Sequence, residues 1–220
     1  MDGLNRYFVN VGTTLAENLP KGDEYKRFLH RARQPPGNFQ FTPVDSRYIT
    51  QLVNSMENKS SSGIDGVSNK ILKKIIHAII LPLTHIINQS LISGQIPQFM
   101  KTSKIIPLYK NGDSYLPENY RPISLLSTFS KVLEKTVESQ LRHFLETNCI
   151  LFENQFGFRK GHTTNHAIMK LLNQISKASM KNDKTMVVFL DLKKAFDTCD
   201  YDILLYKLNY YRSEERRVGK

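Results

Sequence analysis

A carboxylate directly follows an apolar run near the end of the chain, and its position suits the binding of a cation or the capping of a helix. Residues 186–190, written MVVFL, predict a strand covered on both faces, with Asp191 at its carboxyl end. Burying an ionised acid without a partner is costly, so Asp191 should face a cation, backbone amides or water. Asp191 could equally cap a helix formed by LKKAFD, and the spacing leaves both interpretations open. Phe196, five residues on, is of a type that usually lies in a core.

The composition favours a folded protein with a polyanionic partner. The chain has 220 residues, 40% hydrophobic residues and a formal net charge of +11. Such a charge favours nucleic acid through counterion release, although a basic protein with no such partner has the same composition. The two cysteines provide no disulfide framework, and no signal peptide or membrane span is recognised. We therefore expect an intracellular protein, in the nucleus or cytoplasm, with no membrane partner.

The elements that would position these groups are mostly helical. Residues 1–41 are expected to form an extended connector, and a domain is expected to begin near Thr42. Helical spacing predicts a helix from Ser46, a second from 71 to Pro82 with a continuation to Gly94, and others from Ser127 or Thr128, around 167–175 and from 202 to 211. Residues 104–109 and 120–126 predict an antiparallel hairpin of two edge strands, because each strand contains a proline.

Four segments, in order, resemble motifs of reverse transcriptases from non-LTR (LINE-like) retrotransposons and group II introns. They are GIDGVSNKIL at 63–72, the pair IIPLYKNGD and ENYRPISLLSTFSKVLEK within 105–135, NQFGFRKGHTTNHAI at 154–168, and FLDLKKAFDT at 189–198. The segment at 7–20 also resembles the region that precedes the polymerase in LINE-like elements. The resemblance covers residues 7–211.

This resemblance implies specific roles around Asp191. The matching carboxylate in the family binds two Mg²⁺ ions, which activate the primer hydroxyl and stabilise the leaving pyrophosphate. The carbonyl of Leu192 would help to hold the nucleotide-bound ion. Phe196 matches the steric gate that excludes a ribose 2′-hydroxyl and so selects deoxynucleotides. Asp197 is expected to have a local structural role.

Three cations match nucleotide-binding positions of the family. Arg121 corresponds to the finger arginine that reaches the incoming triphosphate, and Lys110 is a weaker match for a second phosphate contact. Arg159 would lie close to the template and nucleotide, in a loop supported by Gln155 and Phe158. The alternative for each cation is an ordinary solvated surface charge.

The acids that should complete the metal site are missing from this sequence. The family has an aromatic-x-Asp-Asp motif well downstream of the first aspartate, and no adjacent aspartates occur here. A single carboxylate cannot hold two ions in catalytic geometry, so we predict that this chain alone does not polymerise. The last nine residues, RSEERRVGK at 212–220, resemble a translated sequencing-library adaptor, and we expect them to be a non-native tail.

The sequence therefore predicts an α+β fold consisting of reverse-transcriptase fingers and a truncated, partial palm. Residues 1–41 would be the connector, 42–184 the fingers and 185–211 the start of the palm. The expected activity is RNA-directed DNA synthesis from an RNA template, a DNA primer or target and deoxynucleoside triphosphates, in a fragment that is itself inactive. A non-catalytic nucleic-acid-binding remnant is the alternative, and a phosphoryl-transfer domain using Asp191 as acceptor is a more distant one. We also expect poor solubility, because residues 187–190 and Leu204, Leu205 and Leu208 would lack partners.

Overall fold

A computed structural model of the chain describes residues 2–17, 22–29, 38–192, 195, 196 and 198–211. Asp197 and the segment 212–220 lie outside the described residues. The elements are α1 (Asp2–Glu17), α2 (Glu24–Leu29), α3 (Ser46–Ser55), α4 (Asn69–Ser93), β1 (Ser103–Tyr109), β2 (Tyr120–Leu126), α5 (Thr128–Thr147), α6 (Thr164–Met180) and α7 (Tyr201–Tyr210). Short 3-10 turns at Gln98–Lys101 and Pro117–Asn119 precede the two strands. The expected mixture of helices and a small sheet is confirmed.

The hydrophobic core lies between α3, α4 and α5. Its fully buried side chains are Ile49, Val53, Leu72, Ile76, Ile87 and Val132. Each helix begins with a side chain that accepts a backbone N–H bond, namely Asp45, Ser68 and Ser127. The predicted starts of α3 at Ser46 and of α5 at Ser127 or Thr128 were therefore correct, with the hydroxyl of Ser127 as the cap of α5, whereas α4 begins two residues before the predicted position 71.

Helix α4 runs without a break from Asn69 through Pro82 to Ser93, so the predicted helix and its continuation to Gly94 are confirmed as one element. Pro82 lies on its exposed side, and Gly94 ends the helix in the left-handed conformation at φ 71°. By length and composition α4 could cross a membrane. Its buried residues, among them Leu72, Ile76 and Ile87, nevertheless belong to the core shared with α3 and α5, so α4 serves in this fold as the central core helix.

Two side-chain amides fix the chain where it enters this core. Gln140 accepts from the backbone N–H of Thr42 and donates to the carbonyl of the same residue, both at 2.9 Å. Asn88 makes the equivalent pair of bonds with Val44, at 2.8 and 2.9 Å. Each amide bonds both backbone groups of one residue, as a neighbouring strand would, so the backbone N–H and C=O of Thr42 and of Val44 are satisfied without a sheet. Phe39 is also buried, so tertiary packing begins slightly before Thr42.

The hairpin forms as predicted. Strands β1 and β2 pair antiparallel, with Pro107 opposite Pro122, and they constitute the one sheet in the described part of the chain. Both strands are thus edge strands, which is where proline is tolerated because it cannot donate to a ladder. Most of the hairpin side chains are exposed on both faces.

The N-terminal segment is helical where the sequence predicted an extended connector. In α1 the residues Leu4, Tyr7, Phe8, Val11 and Leu15 are half-buried and follow helical spacing. Helix α2 contacts α7, with the ring of Tyr25 edge-to-face on Tyr206 at 5.5 Å and Lys26 Nζ 5.8 Å from the Tyr206 ring centroid. The apolar residues between Leu4 and Leu15 thus form one face of α1 instead of part of an extended connector.

The strand predicted at 186–190 is wrong for this structure. Residues 183–192 have no regular secondary structure, and the large apolar side chains of 186–190 are exposed rather than covered on both faces. A strand is stable only when its backbone groups pair with a neighbouring strand, and β1 and β2 do not pair with this segment. The expected exposure of Leu204 and Leu205 is confirmed, whereas Leu208 is half-buried.

Candidate active site

Asp191 lies in an exposed, irregular segment and not at the end of a strand. Its side chain and that of Leu192 are exposed, and neither the hydrogen bonds nor the ion pairs found among the described residues involve the Asp191 carboxylate. Helix α7 uses a different acid as its N-cap, because Asp200 accepts from the N–H of Ile203 at 3.0 Å. No helix follows Asp191 directly in the described residues, so no helix-capping role is seen for it.

The described residues do not form a complete metal site around Asp191. They contain no cluster of three or more His, Cys, Asp or Glu side chains that could hold an ion. Hard divalent cations take six or more oxygen ligands, and two-ion catalysis needs bridging carboxylates from more than one element. In this structure Asp191 can offer one carboxylate, so a pair of Mg²⁺ ions does not fit the residues described.

Lys110 and Arg121 lie together at the turn end of the hairpin. Arg121 is opposite Leu108 in the register, and the Lys110 N–H continues the ladder by donating to the Asn119 carbonyl at 2.9 Å. Because side chains alternate between faces, Lys110 and Arg121 share one face as diagonal neighbours, with Cα atoms roughly 7 Å apart. The rings of Tyr109 and Tyr120 contact each other at 5.5 Å on the opposite face.

This pair of cations is available to an anion. Both side chains are exposed, and neither takes part in an ion pair within the described ranges. Two neighbouring cations on a projecting edge hairpin can bind a phosphate group, and the arginine can do so through two parallel hydrogen bonds. The predicted hairpin therefore presents the two cations side by side, and no hydrogen bond or ion pair among the described residues joins them to Asp191.

Arg159 is held by the protein itself. Its guanidinium forms a two-point contact with Glu146 on α5, with Nε–Oε1 at 3.0 Å and Nη2–Oε2 at 2.5 Å, and Nη1 donates to the Phe152 carbonyl at 3.2 Å. Only 13% of the Arg159 side chain is exposed. The hydrogen bonds between the two side chains lower the pKa of Glu146 and raise the pKa of Arg159. In this arrangement Arg159 anchors its loop to α5.

An open cavity of about 650 Å³ lies beside this ion pair. Its lining includes Glu146, Arg159, His162, Phe152 and Tyr211. Burial raises the pKa of the Tyr211 phenol at the end of α7. The cavity therefore brings the last residue of the α7 region next to the loop that carries Arg159.

Phe196 contacts the loop that precedes Arg159. Its ring lies edge-to-face on the ring of Phe158, with centroids 5.9 Å apart and an interplanar angle of 88°. Both rings remain largely exposed. The structure thus brings Phe196 against Phe158 of the predicted segment QFGFRKG. No hydrogen bond or ion pair among the described residues joins the hairpin cations to either ring's segment.

Three further residues of this region were not singled out from the sequence. Glu138, Arg142 and Glu146 recur every four residues along α5, which places them on one helix face. Arg142 pairs with Glu138 and donates from Nη1 to the Phe158 carbonyl at 2.5 Å. The i, i+4 charge pattern was visible in the sequence and could have indicated a charged face that receives the loop.

Comparison with known proteins identifies the family. The profile described as reverse transcriptase (RNA-dependent DNA polymerase) matches residues 108–216. That range includes the hairpin tip with Lys110 and Arg121, the loop with Arg159, and Asp191. It also extends five residues into the segment at 212–220 that we expected to be non-native.

Several curated relatives are similar over most of the chain. The "Probable RNA-directed DNA polymerase from transposon BS" of Drosophila melanogaster is 35% identical over 84% of this chain. The RNA-directed DNA polymerase from mobile element jockey of Drosophila funebris is 31% identical over 75% of it. The chain spans about a fifth of the length of these relatives, 21% and 18% respectively. The ordered motifs, the matched profile and these relatives agree, and the chain belongs to the reverse transcriptase family, among the RNA-directed DNA polymerases of LINE-like, non-LTR retrotransposons.

Proposed function

We propose that this chain supplies the fingers and the first catalytic carboxylate of a polymerase that copies a retrotransposon RNA into DNA. Asp191 would be one ligand of the catalytic Mg²⁺ ions, with the Leu192 carbonyl beside it. Mg²⁺ would supply charge stabilisation and activation of the primer hydroxyl. The ligands that complete this site are not among the described residues, and the chain by itself is proposed to be inactive.

The proposed nucleotide contacts fall into two groups. Lys110 and Arg121 on the hairpin would bind the triphosphate of the incoming deoxynucleotide, because they are exposed, adjacent and not engaged in ion pairs within the described residues. Phe196 would exclude the 2′-hydroxyl of a ribonucleotide by shape. Arg159 would act on template and nucleotide through the loop that it anchors, since its guanidinium is already bound to Glu146.

One observation carries this proposal. The ring of Phe196, in the segment that follows Asp191, touches the ring of Phe158, in the loop that precedes α6. These segments are 38 positions apart in the sequence and match two different motifs of the family. Their contact is what a shared nucleotide site would require, and it is made although the strand at 186–190 does not form.

Template binding tests the assignment to nucleic acid. We expect the purified chain to bind an RNA template annealed to a DNA primer, with an affinity that falls steeply as salt rises. Replacing Lys110 or Arg121, one at a time, by alanine should weaken binding of a deoxynucleoside triphosphate to the template–primer complex, measured by fluorescence titration. Lys177→Ala on the exposed side of α6 is a matched control for loss of a positive charge. Equal effects of the hairpin and control variants would contradict the proposed role of the hairpin.

Primer extension separates an active enzyme from a binding remnant. We expect no Mg²⁺-dependent incorporation above the level of Asp191→Asn, because one carboxylate cannot position two ions. Extension that depends on Asp191 would show that the chain completes its own metal site. RNA binding without incorporation is the expected result and agrees equally with the alternative of a non-catalytic remnant. Deoxynucleotide binding that depends on Arg121 would favour the polymerase.

A further inference from the structure

We infer that Phe158 is a positioning residue for Phe196, and that a loop anchored on α5 thereby fixes the ring proposed to select the sugar. The role of Phe196 in selecting the sugar rests on the proposed function. The contact that positions its ring rests on the geometry of the loop. The two rings meet edge-to-face at 5.9 Å and 88°. This geometry is one of the favourable arrangements of aromatic pairs.

The backbone around Phe158 is held on α5 by a first arginine. Arg142 donates to the Phe158 carbonyl at 2.5 Å and is itself paired with Glu138, one turn earlier on the same helix. Phe158 has φ 59°, in the left-handed region that residues other than glycine rarely adopt. A hydrogen bond to the carbonyl of the residue in that unusual conformation helps to maintain it, and so fixes the direction of the ring.

A second arginine holds the next residue. Arg159 contacts both carboxylate oxygens of Glu146, two turns further along α5 than Glu138, and also donates to the Phe152 carbonyl. The Gln155 side chain contacts the Gly157 carbonyl at 3.4 Å within the same loop. The Phe158 ring therefore projects from a loop fixed to one helix at two consecutive positions.

Phe196 is a largely exposed ring. Its side chain is 79% exposed, and Ala195 and Phe196 lie in a turn. A ring that excludes a hydroxyl by shape must stay in place, because a displaced ring no longer fills the space in question. The contact with Phe158 ties Phe196 to the helical core by way of α5, and loss of that contact would let the Phe196 ring reorient.

Fluorine NMR on this chain tests the contact without requiring catalysis. With 4-fluorophenylalanine placed at position 196, we expect Phe158→Leu to move the fluorine resonance towards its frequency in the urea-unfolded protein. Phe158→Tyr keeps an aromatic edge and should restore most of the native shift. Phe152→Leu is the matched control, because Phe152 is an exposed phenylalanine of the same loop with no aromatic contact found among the described residues.

The outcomes distinguish this inference from the proposed function. A resonance unchanged by Phe158→Leu, or changed equally by Phe152→Leu, would overturn the positioning role even in a protein that binds template and primer. A shift specific to Phe158 and rescued by tyrosine would support it. If that shift appeared in a protein with no affinity for template–primer, the contact would stand and the polymerase assignment would fail.

Discussion

Two apolar regions of this protein behave in opposite ways. In the core of α3, α4 and α5, residues such as Ile76 and Val132 are 0% exposed. In residues 186–190, which are at least as apolar, Phe189 is 84% and Leu190 89% exposed. The difference lies in the partners available, since the three helices cover one another whereas a strand needs a neighbouring strand for its backbone groups. Apolar sequence thus predicts burial only where a partner element is at hand.

The largest expected effect is in the core. We expect Ile76→Ala to lower the free energy of unfolding by about 2–5 kcal/mol, because it leaves a cavity in a fully packed site. Ile75→Ala, one position along the same helix, should cost under about 1 kcal/mol, because the Ile75 side chain is 38% exposed. Urea unfolding followed by circular dichroism measures both.

A milder substitution at position 76 keeps the core measurable if the alanine variant is unfolded. If Ile76→Ala does not fold, Ile76→Val should still cost about 0.5–1.5 kcal/mol. Similar losses at positions 75 and 76 would mean that the two faces of α4 are not differently packed, and the proposed core would be wrong.

The next largest loss of stability is expected from adding a methyl group at one of two loop glycines, Gly63 and Gly157. A Cβ on Gly63 would lie 2.6 Å from the Ser127 backbone nitrogen, so Gly63→Ala must displace backbone and should cost about 1–3 kcal/mol. A Cβ on Gly157 would meet nothing within 4 Å, so Gly157→Ala should be nearly neutral. Thermal unfolding compares the two, and a neutral Gly63→Ala would show that the loop at 63–66 does not pack against the start of α5.

The same contrast explains which elements could be predicted from the sequence. Helices α3, α4 and α5 and the hairpin carry local signals, such as the caps Asp45 and Ser127 and the two prolines, which need no knowledge of distant contacts. The prediction of a strand at 186–190 was wrong because a strand needs a neighbouring strand to pair with, and the periodicity of the segment does not reveal whether one is present. The first helix was missed because its apolar residues were interpreted as separate patches.

In the candidate site, too, the features set by local sequence could be predicted and those set by distant contacts could not. The exposure of Lys110 and Arg121 follows from an edge hairpin and could be predicted. The two-point contact of Arg159 with Glu146 could not, since it joins residues 13 positions apart across a loop whose course the sequence does not specify. The contact between Phe158 and Phe196 depends on that loop in turn, and only the structure reveals it.

The loop between α5 and α6 is attached to α5 by the ion pair of Arg159 with Glu146, so the free energy of unfolding should depend on pH. The pKa of Glu146 is lowered in the folded protein by its hydrogen bonds with Arg159. The ion pair therefore contributes fully above the ordinary glutamate pKa near 4.5, and the contribution is lost as pH falls through the lowered value. We expect Glu146→Gln to be less stable than the natural sequence at pH 6, and the two to converge at lower pH. A difference that stays constant over this range, measured by urea unfolding, would contradict the ion pair.

The smallest change in the free energy of unfolding is expected in the exposed segment 186–190. It tests most directly the contrast between this segment and the helical core. Val188→Thr should change the free energy of unfolding by less than about 0.5 kcal/mol, because the side chain is 67% exposed. The same substitution at Val132, which is 0% exposed, should cost about 1–3 kcal/mol, because it buries a hydroxyl in the core. Urea unfolding at two protein concentrations measures both. If Val188→Thr proved as costly as Val132→Thr, and more so at the higher concentration, residues 186–190 would be buried between copies of the chain, since apolar residues that lack a partner within one molecule can find one in another.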